Sequence, residues 1–126
     1  MTASFHERCL LFGTRIYKLL VAVPRTPASR DIIDQLIRSG ASIGANANEA
    51  RGAESRADFI HKMGIALKVA REAGYWLSFV EQAGIVNDPA LIGLKAECNE
   101  LTAILVKSVT TAQRNAASEN PKTSSV

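Results

Sequence analysis

Residues 55–84 read SRADFIHKMGIALKVAREAGYWLSFVEQAG, and this stretch decides the fold. Phe59, Met63, Ala66, Ala70, Ala73, Leu77, Val80 and Gly84 recur at alternating steps of four and three. That period puts them on one face of an α-helix and nowhere coherent on a strand. Ser55-Arg56-Ala57-Asp58 has the form of a capping box, so the helix is predicted to start at Ser55 and to run to about Gly84. Ile65, Val69 and Trp76 project beside the main seam, and Phe79 lies further round. Ile60, Leu67 and Gly74 flank the other side, so apolar residues cover well over half of the circumference. A helix of this kind is normally buried on more than one side. Burying one large aromatic removes about 150–250 Å² from water, worth roughly 4–6 kcal/mol as an upper bound. Ile65, Val69, Trp76 and Phe79 are therefore predicted to form a subunit interface.

The same periodicity extends to either side. Phe5, Cys9, Phe12, Ile16, Leu19 and Val23 form a seam over about residues 4–23, stopped by Pro24. A second helix is expected over about 28–50, with Thr26-Pro27 as N-cap and first-position proline. Ile32, Ile33, Leu36, Ile37, Gly40, Ile43, Gly44 and Ala47 share its apolar face. Gly40 and Gly44 are read as a close helix–helix contact, and Gly52 as a possible stop. A fourth helix opens at Asp88-Pro89 and follows Leu91, Leu94, Cys98, Leu101 and Leu105 to about residue 114. Residues 116–126 have little to bury and are expected to form a disordered tail. No hairpin signal or sustained alternation of period two interrupts the pattern. The expected fold is one all-α domain over residues 1–115, an antiparallel up-down-up-down four-helix bundle.

Composition narrows the function more by exclusion than by pointing. The 126 residues suffice for one core without staples. No apolar run approaches the ~20 residues that span a bilayer. The start of the chain lacks a basic region followed by an apolar one, so the cytoplasm is the expected location. Cys9 and Cys98 both fall on apolar faces and are expected to be reduced core residues. With only His6 and His61, and no close Cys/His spacing, neither a metal site nor a cofactor is expected. Glu72, Glu81, Glu97 and Glu100 are not matched with histidines as a di-iron bundle requires, and no base–nucleophile pair is apparent. The protein is therefore expected not to be an enzyme.

Two further features concern binding. On the second helix Gln35, Ser39, Ser42, Asn46 and Glu49 form a polar stripe. It is predicted to bond to a neighbouring helix, with Glu49 paired to Arg51, Arg56 or Arg71; the alternative is a binding groove. The net charge of +3 resides in residues 1–48, where Arg8, Arg15, Lys18, Arg25, Arg30 and Arg38 outnumber Glu7, Asp31 and Asp34. These six are the candidate phosphate contacts for RNA or DNA. Tyr17 alone at that end could stack on a base outside the seam, so sequence-specific readout is not expected.

The stretch Ser42-Ile43-Gly44-Ala45-Asn46-Ala47-Asn48-Glu49-Ala50, then Ser55, Phe59 and Ile65-Ala66-Leu67-Lys68, then Glu72-Ala73-Gly74-Tyr75-Trp76-Leu77, resembles a known family. It is the bacterial four helix bundle protein family, also called the 23S rRNA intervening-sequence protein family. The accessory variability proteins of diversity-generating retroelements are related to it. The resemblance covers about residues 5–114; Ala73 departs from the Thr or Ser that many members carry. It implies a left-handed bundle assembled into a ring-like homopentamer. In the retroelement relatives the ring is basic and binds nucleic acid and the reverse transcriptase. For this chain the implied partners are further copies of itself and, as candidates, RNA, DNA or a nucleic-acid enzyme; a purely structural or protein-binding module is the alternative.

Overall fold

The computed structural model describes residues 3–119 as four α-helices: α1 Phe5–Val21, α2 Arg30–Arg51, α3 Arg56–Gln82 and α4 Ala90–Glu119. There is no strand among the described residues. Helix boundaries have local causes. Ser4 Oγ accepts the Glu7 N–H at 3.1 Å, and Ser55 Oγ accepts the Asp58 N–H at 3.0 Å. Each bond satisfies one of the backbone donors that a helix start leaves unpaired. The Asp58 carboxylate in turn accepts the Glu54 N–H at 3.2 Å, one residue earlier than an ideal capping box.

The start of α2 differs from expectation. Thr26 Oγ1 accepts the Ser29 N–H at 3.1 Å while Ser29 Oγ accepts the Thr26 N–H at 3.0 Å. This reciprocal pair closes one turn at residues 27–29, and the regular helix starts only at Arg30. Gly84 ends α3 with a φ of +73°, a left-handed conformation that only glycine adopts cheaply. Asp88 Oδ1 accepts the Ala90 N–H at 2.8 Å and opens α4. That helix continues to Glu119, five residues beyond Arg114, and there Glu119 pairs with Arg56 at the start of α3. The expected tail thus begins inside a helix, and its residues 120–126 lie outside the described residues.

The helices touch in a closed cycle, α1 to α2 to α3 to α4 and back to α1, with no diagonal contact. Neighbours run antiparallel. Gly40 meets Ile16 and Gly44 meets Cys9 between α1 and α2. Arg56 pairs with Glu119 and Glu81 with Lys95 between α3 and α4. This is an up-down-up-down arrangement with a single core. Phe12, Ile16, Ile33, Leu36, Leu77, Leu94, Leu101 and Leu105 are fully buried in it. The core face of α3 is largely methyl groups, with Ala66, Ala70 and Ala73 at 0% exposure. Its neighbours therefore approach it closely.

One seam shifts from the sequence pattern. In α1 the buried set is Cys9, Phe12, Gly13, Ile16 and Leu20, whereas Leu19 and Val23 are only half-buried. A straight helix of 3.6 residues per turn drifts from a strict seven-residue repeat, so burial passes to Leu20. Gly13 lies outside that period, yet it makes the tightest approach of backbone to backbone. A Cβ there would lie 3.1 Å from the Gly40 carbonyl oxygen and 3.3 Å from Ala41 Cα.

Candidate interaction surfaces

The residues predicted to form an interface lie on the outward flank of α3. Helical phase puts Ile65, Val69, Glu72 and Trp76 on the flank of α3 turned away from Gly74, toward α2. The opposite side faces α4, where a Cβ on Gly74 would meet Cys98 Sγ at 3.5 Å. Ile65, Val69, Trp76 and Phe79 are each half-buried within the single bundle. Trp76 Nε1–H donates to Glu72 at 3.3 Å, so the indole has its polar partner within α3. Tyr75, which sequence periodicity passed over, is 62% exposed and stacks edge-on against Trp76 at 5.1 Å. Trp76 and Phe79 stand 5.6 Å apart, so three aromatic rings form one continuous ridge.

The polar stripe on α2 is stabilised from within its own helix. Ser39 Oγ donates to the Leu36 carbonyl at 3.3 Å, and Ser42 Oγ to the Arg38 carbonyl at 2.7 Å. Asn46 Nδ2 donates to the Ser42 carbonyl at 2.8 Å. The predicted bonds to a neighbouring helix are thus replaced by back-bonding, which short polar side chains achieve without a partner. Ser39 is buried, Gln35, Ser42 and Asn46 are half-buried and Glu49 is exposed. Glu49 forms none of the ion pairs among the described residues; Arg56, one of its predicted partners, is held by Glu119 instead.

The six basic residues divide into two groups. Arg8 donates from Nε to Glu97 at 3.0 Å and from Nη2 to Glu100 at 2.8 Å, linking α1 to α4. The Arg8 bond holds the Glu97 carboxyl below its ordinary value, and the carboxylates raise the guanidinium in return. Arg25 pairs with Asp34 at 3.1 Å. Arg15, Lys18, Arg30 and Arg38 are exposed and outside the ion pairs of the described residues.

Between α1 and α2 the structure holds a surface that periodicity missed, a groove of about 650 Å³. Its floor is small, with Gly13, Ala41, Gly44 and Ala45, because the helices meet there through glycine. Its walls carry Leu10 and Tyr17, 69% and 55% exposed. Val21, one turn beyond Tyr17, is 53% exposed on the same helix. His6, Glu7, Asn48 and Arg51 form a polar end. Burial first and Arg51 second lower the His6 pKa, which keeps the imidazole neutral near pH 7. Residues 10, 14, 17 and 21 repeat at steps of four, three and four, so they share one outward face of α1.

Chemistry is sparse. Both cysteines are free and buried; burial pushes the Cys9 thiol up to about 11 and raises that of Cys98. Neither is thereby a nucleophile at neutral pH. Among the described residues no group of three His, Cys, Asp or Glu could hold a metal ion. Among them, too, no helix is long and apolar enough to cross a membrane.

Residues 4–107 match the family described as 23S rRNA-intervening sequence protein. This chain belongs to that family. Its fold is also similar to the crystal structure of a protein of unknown function from the S23 ribosomal protein family of Bacteroides thetaiotaomicron. The two are 32% identical, with a TM-score of 0.73, over 84% of this chain and 95% of the other. No curated protein matches the chain.

Proposed function

We propose that this chain is a non-enzymatic cytoplasmic scaffold, a left-handed bundle whose working form is a cyclic homo-oligomer. Five subunits is the number its family resemblance implies. The observation that carries the reading is the aromatic ridge on α3, with Tyr75 62% exposed beside a half-exposed Trp76. Contiguous apolar surface of this kind marks an interaction site on a folded chain. Five copies at +3 each give a ring of roughly +15, and a ring concentrates such a field. Arg15, Lys18, Arg30 and Arg38 supply the charge with which the ring binds nucleic acid or a nucleoprotein.

Light scattering on the purified protein tests the assembly, which predicts several times 13.5 kDa at micromolar concentration. A mass of 13.5 kDa overturns it. Anisotropy with labelled RNA and DNA at ~50 mM salt tests the second part, and binding should weaken steeply as salt rises. Absence of binding favours the second reading, a purely structural or protein-binding module. The engagement of Arg8 and Arg25 with carboxylates is the observation on that side.

A further inference from the structure

Resting on the assembly proposed above, we infer that the groove between α1 and α2 is filled by the Tyr75–Trp76–Phe79 ridge of the next subunit, so that the two unpartnered faces of one chain are the two halves of one head-to-tail contact. Three observations carry this. The first is shape: a floor of glycine and alanine between exposed Leu10 and Tyr17 is a slot, and the ridge is a run of stacked rings. Large side chains of one helix seat into the space left by small ones on another. The second is length. Leu10 to Tyr17 and Glu72 to Phe79 are each seven helical steps, about 10 Å of helix. The third is polarity: Glu72 flanks the ridge, and the polar end of the groove presents Arg51 beside Glu7.

Placement decides that the contact joins different faces. The groove lies on the α1/α2 side of the bundle, and the ridge lies on the outer side of α3, on the flank away from Gly74 and α4. The groove and the ridge therefore occupy different faces of the bundle. Two patches on different faces make a head-to-tail contact, which forms a ring when its rotation closes.

A mixing experiment reads this out. Leu10→Glu with Tyr17→Glu spoils the groove, and Tyr75→Glu spoils the ridge. All three side chains are more than half exposed in the single chain, so each variant should fold, as circular dichroism melting checks. Each variant alone should be monomeric. Mixed in equal amounts, they should form a dimer of twice 13.5 kDa that grows no further, because one intact groove meets one intact ridge. If the wild type assembles but the mixture stays monomeric, or if either variant still assembles alone, the pairing is wrong while the scaffold reading stands. A monomeric wild type overturns both.

Discussion

Arg8 on α1 reaches across to Glu97 on α4 with its Nε and Nη2 atoms, the Nε bond being 3.0 Å long. α1 and α4 are the neighbouring helices that touch least, so this fork fastens an otherwise thin seam.

Replacing Arg8 with alanine should lower stability by about 1 kcal/mol, the scale of a partly exposed charged pair. The effect should depend on pH with a defined sign. Glu97 is depressed below its ordinary 4.5, so its contribution is present above that value and fades as pH falls through the lowered one. Urea melts from pH 7 to pH 3 should show wild type and variant converging at the acid end. A constant gap would mean that Arg8 acts through packing alone.

The glycines of the α1/α2 contact should separate by what a methyl group would strike. Gly13→Ala meets the Gly40 carbonyl at 3.1 Å, and the backbone cannot step aside, so a loss of about 1–3 kcal/mol is expected. In Gly40→Ala the methyl meets Ile16 Cδ1 at 2.8 Å, the tip of a flexible side chain. Ile16→Val should therefore recover part of the Gly40→Ala loss and none of the Gly13→Ala loss. A double-mutant cycle measures the difference.

Gly64 offers the opposite outcome. It sits within α3, and a Cβ there meets nothing within 4 Å. Gly64→Ala should raise stability by roughly 0.5–1 kcal/mol through helix propensity and reduced chain entropy. Thermal melting decides it.

Ser55→Ala removes the acceptor of the Asp58 N–H and should cost about 1 kcal/mol, whereas Asn46→Ala should stay within about half of that. The Asn46 bond returns to its own helix, and alanine repays it with propensity. A large loss in Asn46→Ala would show that the amide holds more than Ser42.

The core was legible where one apolar face dominates. In α4 the predicted Leu91, Leu94, Cys98, Leu101 and Leu105 are the residues buried, and α3 keeps its seam from Met63 to Val80. Surfaces were legible only in part. Trp76 and Phe79 were found as surplus on an already full helix, but Tyr75 escaped because it points straight away from the core. The groove escaped for another reason: a slot arises from two helices meeting through Gly13, Gly40 and Gly44, and no single helix's period contains it. Likewise, charge content put Arg8 and Arg25 among the candidate phosphate contacts, and only distance reveals their carboxylate partners.

The alanine seam of α3 sets the girth of the whole brick. With Ala66, Ala70 and Ala73 at its centre, the waist of the bundle is about as narrow as side chains permit. Enlarging any of these methyls must push α2 or α4 outward and swing one outer face against the other. Interior volume and exterior curvature are thus a single variable in this chain. If the chain assembles into the ring proposed above, a conservative change deep in the core would be felt as a change in how many bricks complete the circle.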